Sequence, residues 1–176
     1  MQLLTVASAA ILAITPVVQA AQAKIYNKCS FKVYLWSVTA DHSSNMITLW
    51  PTDVYDETYQ VPSCGGVSLK LSLTETIAGS TPITQFEYTL AGGKIWYDIS
   101  NINCVTSSCP FQPYGLYMES GLGCPTRSCI AGEPICAGAY NKPNDDENTL
   151  SCDGNSDISL YLCTKALPIG TLRQFV

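Results

Sequence analysis

The sequence predicts an all-β domain, a sandwich of short antiparallel strands stapled by disulfides. Three observations predict it. Apolar and polar residues alternate with period two in several runs, while helical periodicity of any length is absent. Gly, Pro, Asn and Ser separate these runs, as turns between strands require. All nine Cys lie between Cys29 and Cys163, which in a secreted chain indicates a disulfide framework.

Taken in order, Lys24 to Val38 reads as one strand. Cys29, Phe31, Val33 and Leu35 share one face, and Ser30, Lys32, Tyr34 and Trp36 the other. Cys29 therefore points into the core, and its mate is Cys163, at the end of the alternating run Asp157 to Cys163. That bond would staple the first strand to the last. Cys163 is in phase with Ser159 and Tyr161, so a strand end or bulge has to turn its sulfur inward. Thr39 to Asn45 is a polar loop, Met46 to Trp50 a short apolar run stopped by Pro51, and Tyr55 to Val61 an extended segment ending at Pro62. Val67 to Leu73 is the cleanest strand, with Val67, Leu69, Leu71 and Leu73 inward. Gln85 to Leu90 puts Phe86, Tyr88 and Leu90 on one face. After the turn at Ala91-Gly92-Gly93, Lys94 to Ser100 returns with Ile95, Tyr97 and Ile99 inward and Trp96, Asp98 and Ser100 outward. From Asn101 to Asp157 the chain is Cys-rich and loop-like.

Residues 1–23 carry no charged side chain, Leu3 to Val18 is largely apolar, and small residues follow at Ala20, Ala21 and Ala23. This is the pattern of a secretory signal over residues 1–20, with cleavage after Ala20 or Ala23, ahead of a domain over 21–176. The apolar run is short and broken by Pro16, so no membrane span is expected after signal removal. The tail ALPIGTLRQFV is too polar for a lipid-anchor signal. With a net charge of −5 and no basic stripe, a nucleic-acid partner is excluded. The Cys spacings are not paired CxxC and His42 is the only His, which argues against zinc. No cofactor or metal is expected. His42 sits in a polar loop without any G-x-S-x-G element, so a nucleophilic triad is not expected either.

Several segments together resemble the thaumatin-like proteins. NKCSFKVYLW is similar to the first strand of that family, QFEYTLAGGKIWYDISNI to its central hairpin, and GCPTRSC to a pair of Cys in it. AYNKPNDDENTLSCDGNSDISLYLC resembles its closing segment. Length, secretion and Cys pattern resemble most the small fungal branch, the yeast-phase-specific (Blastomyces-type) proteins. The Cys-rich second lobe of the large plant members is cut down to CIAGEPIC. The resemblance implies the pairs Cys29–Cys163, Cys124–Cys152 and Cys129–Cys136. Cys104 and Cys109 then pair locally, on their spacing, which leaves Cys64 over.

Plant members carry an acidic cleft, and the resemblance carries its positions onto this chain. Asp98 falls on the Asp of the Tyr-Asp-Ile-Ser motif and Asp145 on the Asp of the closing segment. The cleft Glu aligns with Gln85, the next Asp with Asn103, and the Arg near Lys70. Amides hold sugar hydroxyls but supply no proton in general acid catalysis, so these replacements favour a binder over a glycosidase. Glu87 points the same way as Gln85 and is a substitute carboxylate. The candidate ligand-binding set is thus Asp98, Asp145, Gln85, Asn103, Lys70 and Glu87, with no catalytic residue. Trp36, Trp96, Tyr34 and Tyr117 are candidates for stacking on sugar rings. Asp146 and Glu147 read as a solvated loop. The expected function is that of a secreted, monomeric, non-catalytic protein at the fungal cell wall or surface, with β-glucan or a related polysaccharide as ligand. The alternatives are a weak endo-β-glucanase using Asp98 with Glu87 or Asp145, and an adhesin, antigen or effector that binds a surface protein.

Overall fold

The alternating runs fold into strands whose apolar faces meet between two sheets. The computed structural model describes residues 20–104 and 108–165 of the chain. The expected signal segment, residue 20 apart, and the polar tail lie outside the described residues. The strands are β1 (Gln22–Asn27), β2 (Val33–Val38), β3 (Ile47–Leu49), β4 (Val54–Thr58), β5 (Val67–Ser72) and β6 (Thr84–Ala91). They continue as β7 (Lys94–Ser100), β8 (Leu116–Ser120), β9 (Arg127–Cys129), β10 (Leu150–Asp153) and β11 (Ile158–Leu162). One sheet has the order β4-β1-β11-β8-β9, the other β10-β7-β6-β5-β2-β3. Inward residues of both, among them Ile25, Leu35, Leu69, Phe86, Ile99, Met118 and Leu160, are fully buried in one core. Each contributes about 1.5–3 kcal/mol by leaving water.

The strand expected over Lys24 to Val38 is in fact two strands in different sheets. Burial alternates from Lys24 to Leu35, after which Trp36, expected outward, is buried with Ser37, yet the chain breaks its ladder after Asn27 and crosses the sandwich. Asn27 is the pivot. It is fully buried, and its Nδ2 donates to the carbonyls of Phe31 (3.0 Å), Leu49 (2.9 Å) and Trp50 (3.0 Å). Its Oδ1 accepts from the Cys29 amide at 3.0 Å. This one side chain thus ties backbone groups of the crossover to those at the end of β3, and a buried backbone group left unpaired would cost about 1–3 kcal/mol.

Pairings between the named strands are antiparallel except that of β1 with β11, which run parallel from Ala23↔Ile158 to Asn27↔Leu162. The disulfide Cys29–Cys163 closes the end of this pair across 134 residues. Cys163 lies just past β11 with φ of 60°, in the left-handed region. That reversal turns a side chain of the wrong strand phase toward Cys29. The other bridges are Cys104–Cys109, Cys124–Cys152 and Cys129–Cys136, and Cys64 is free and exposed.

Two further expectations are corrected. The segment from Asn101 to Asp157 contains β8, β9 and β10. β8 buries Leu116 and Met118 against β11, although Gly115 and Gly121 at its ends read as loop. Leu73 is 38% exposed, because β5 ends at Ser72 and the chain turns outward. At the sandwich edge, Glu57 of β4 ties the sheets together. Its carboxylate accepts from Ser37 Oγ (2.8 Å), Tyr55 (2.7 Å), Gln60 Nε2 (3.0 Å) and Tyr88 (2.6 Å). Among the described residues no helix is long and apolar enough to cross a membrane.

If the Cys29–Cys163 bond closes the first strand onto the last, Cys29→Ser and Cys163→Ser should each lower unfolding free energy by roughly 2–4 kcal/mol. The double variant should lose no more than either single one. Denaturant titration of the three variants checks this, and additive losses would show that the two sulfurs act separately.

Candidate functional site

The outer face of the six-stranded sheet is polar, because its strands turn Val67, Leu69, Phe86, Tyr88, Tyr97 and Ile99 to the core and their alternate residues to the other side. Register sorts these outer residues into rows. Ser68, Glu87 and Asp98 lie opposite one another across β5, β6 and β7, and so do Lys70, Gln85 and Ser100. Thr89 faces Trp96 in the next row. A groove of about 400 Å³ opens here, lined by Ser68, Glu87, Thr89, Trp96, Asp98 and Tyr140 among others. Gly66 forms part of its wall. A Cβ there would fall 2.3 Å from Thr89 Oγ1 and 2.5 Å from the Tyr88 carbonyl oxygen, so the loop can approach β6 only as glycine.

Tyr140 reaches the groove from the long segment before β10. It forms a parallel bridge with Ser100, its amide donating to Ile99 O (2.8 Å) and its carbonyl accepting from the Asn101 amide (2.7 Å). The Tyr140 hydroxyl meets Thr149 Oγ1 at 2.5 Å and Asp146 Oδ1 at 3.1 Å. Trp96 is 41% exposed and offers the groove an open aromatic surface.

Electrostatically the centre of the groove is a pair of facing carboxylates. Glu87 and Asp98 are directly opposed on adjacent strands, a placement with about 4.5–5.5 Å between Cβ atoms. Asp98 Oδ1 is buried and has no hydrogen-bond partner. Burial, with the Glu87 charge second, pushes the Asp98 carboxyl up to about 7. The ion pairs formed among the described residues are Lys24–Asp157 and Lys142–Asp145, so neither groove acid belongs to one. Burial lowers the pKa of Lys70, against a raising influence from Glu87.

Of the six residues singled out from sequence, Asp98 and Glu87 line the groove. Lys70, Gln85 and Asn103 form an internal network beside it. Gln85 is 2% exposed. Its Oε1 accepts from Lys70 Nζ and from Ser68 Oγ (2.9 Å), and its Nε2 donates to Asn103 Oδ1 (3.0 Å) and Ser100 Oγ (3.3 Å). Asp145 is not among the groove-lining residues. Its Oδ2 accepts from the amides of Asn141 (2.8 Å) and Lys142 (3.2 Å), which hold its carboxyl below the usual range and fix the loop that follows Tyr140. Of the aromatic candidates, Trp36 is buried, the Tyr34 hydroxyl donates to Glu75, and Tyr117 packs near Tyr161 on the other sheet. Only Trp96 of these four lines the groove. Sequence reasoning missed Tyr140, Thr149, Ser68, Thr89 and Gly66 as wall residues. Tyr140 lies in the quoted closing segment, but no periodicity announces its bridge to Ser100.

Asp98 makes stability depend on pH. Its usual value is 3.8, so between about pH 4 and 7 the folded chain keeps a proton that the unfolded chain has lost. Its contribution is therefore fully present below the lower value and falls as pH rises through the upper one. Asp98→Asn should match wild type near about pH 4 and become more stable than it toward about pH 8, by on the order of a few kcal/mol. Thermal melts of both proteins across that range test this, and a difference that stays constant with pH would refute it.

Residues 10–164 match the model of the family described as Blastomyces yeast-phase-specific protein. An antigenic thaumatin-like protein of Arthroderma benhamiae is 34% identical over 155 residues, which cover 87% of this chain and 76% of that protein. The secreted thaumatin-like protein calA of Emericella nidulans is 33% identical over 142 residues, 80% of each chain. Among solved structures, the protein elicitor MoHrip2 from Magnaporthe oryzae has a TM-score of 0.67 at 21% identity, covering 82% of this chain and 100% of its own. The thaumatin-like xylanase inhibitor TLXI has a TM-score of 0.53 at 14% identity, covering 80% of this chain and 98% of its own. At these identities the structures speak for the fold, and the family match with its fungal relatives speaks for descent. The chain belongs to the Blastomyces yeast-phase-specific protein family, within the fungal branch of the thaumatin-like proteins.

Proposed function

We propose that the chain is a secreted, non-catalytic protein of the fungal cell wall or surface that holds a polysaccharide, β-glucan or a related glycan, in this groove. The observation that carries the reading is one exposed aromatic wall, Trp96, beside a floor of acids and hydroxyls from Glu87, Asp98, Ser68 and Thr89. Flat apolar ring faces suit pyranose faces, while carboxylates and hydroxyls meet sugar hydroxyls. A volume of about 400 Å³ also falls within the usual size of small-ligand clefts.

A glucanase is the second reading, favoured by the raised Asp98 carboxyl beside a second acid. Against it stand the amides Gln85 and Asn103, which occupy two of the cleft positions and supply no proton for acid catalysis. Pull-down on insoluble glucan, chitin and mannan, with reducing ends measured in the same tubes, separates the readings. Depletion from solution without sugar release is expected, and Trp96→Ala should weaken the depletion by roughly tenfold. Sugar release abolished by Asp98→Asn would establish the enzyme instead. Binding to a host protein alone would support the adhesin or effector alternative.

Signal processing after Ala20 belongs to the same proposal. β1 starts at Gln22, whose amide donates to Asp157 Oδ1 at 2.8 Å, and Ala23 is fully buried opposite Glu57. A cut after Ala23 would remove the start of a strand paired on both edges. N-terminal sequencing of the secreted protein should begin at Ala21, and a start at Lys24 would contradict the proposal.

A further inference from the structure

We infer that the groove is built for a cationic glycan: the sugar it takes is an amino sugar whose ammonium sits between Glu87 and Asp98 while its ring lies on Trp96. The inference rests on the groove reading above and adds the ligand's charge to it.

Three observations converge. First, the groove is a concavity with an exposed aromatic wall, so the site does not rest on the acids alone. Second, two carboxylates face each other across adjacent strands at its floor, and one oxygen, Asp98 Oδ1, is buried without any partner. A neutral glycan would offer these groups hydroxyl dipoles but no charge that lets both be ionised side by side. An ammonium supplies that charge and three N–H donors to the same spot. Third, neither nearby cation, Lys70 or Lys94, forms an ion pair with these acids. Lys70 of β5 lies in the adjoining row and donates to Gln85 Oε1. From the long segment, the Tyr140 hydroxyl is engaged with Thr149 and Asp146, and Arg127 donates to the Glu147 carbonyl at 3.3 Å. Trp96 also suits the ligand twice over, since its ring attracts a cation as well as an apolar sugar face, and Lys94 already lies 5.7 Å from its centroid.

A proton balance follows. Burial and Glu87 hold a proton on Asp98 into the neutral range. An arriving ammonium favours the carboxylate, so the proton passes from Asp98 to solvent as the ligand binds. Acetylation of the sugar nitrogen would remove the charge and leave ring stacking as the main attraction.

The test is calorimetric titration of the secreted protein in mildly acidic buffer, at low and high salt. The titrants are oligomers of glucosamine, of N-acetylglucosamine and of unsubstituted β-glucan, with tri-lysine as a carbohydrate-free cation. The glucosamine oligomer should bind roughly tenfold or more tighter than its acetylated counterpart, release protons, and weaken with salt. Glu87→Gln should remove the preference, while Trp96→Ala should weaken every sugar; Asp98→Asn gives a second reading of the acid pair should either variant fold poorly. Equal binding of glucan or the acetylated oligomer, unchanged in Glu87→Gln, would overturn the cationic ligand and leave the groove reading standing. Absence of binding to any sugar by the folded protein would overturn both. Tri-lysine binding as tightly as the amino sugar would overturn the carbohydrate class.

Discussion

The whole sandwich depends on how the chain leaves one sheet for the other after its first strand. A crossing strand abandons its ladder, and the amides and carbonyls it frees must find partners in the dry interior. Asn27 supplies them. Its amide reaches the carbonyls of Phe31, Leu49 and Trp50, while Cys29 donates back to it. One buried side chain therefore holds the crossover, the end of β3 and the start of the following turn in a single place. With that corner fixed, β1 can lie against β11 and β2 against β5, and Cys29 meets Cys163.

The same economy is absent from the groove, and the contrast is informative. Gln85, one register row away from the acids, has its polar atoms fully engaged. Asp98 does not: it faces another carboxylate and leaves a buried oxygen unpartnered. Burying such a group costs stability, and nothing in the fold requires it, since an asparagine would fit the same space. Features that weaken a fold without serving its packing point to a site. Beside this acid pair, the network of Lys70, Gln85, Asn103 and Ser100 is hydrogen-bonded throughout.

Legibility in the sequence followed the strength of the local pattern. β5, β6 and β7 were readable almost to their ends, because each runs six to eight residues and alternates through most of its length. β8, β9 and β10 were not, since three to five residues between glycines and cysteines carry too little periodicity to separate from loop. The crossover at Asn27 was invisible for a different reason: alternation of buried and exposed residues continues through it, and only the sheet changes. At the site, strand phase placed Glu87 and Asp98 on one face, and the structure shows them opposed. Tyr140 was beyond reach, as it arrives through an isolated bridge to Ser100, and so was Thr149, which stands just before β10 where that short strand pairs with β7. Asp145 shows the converse. A motif position put it in the cleft, while two backbone amides use it to close a loop.

The parallel pairing of β1 with β11 has a consequence for the order of events in folding. β11 is the central strand of its sheet, with β1 on one side and β8 on the other. Until the last strand has been made, β1 and β8 face an empty lane, and neither can bury its apolar side chains in a continuous layer. Such distant pairings are slow to form, because a long loop must close before any contact repays the entropy. A chain emerging N-terminus first thus stays incomplete until Leu162 has cleared the machinery that makes it.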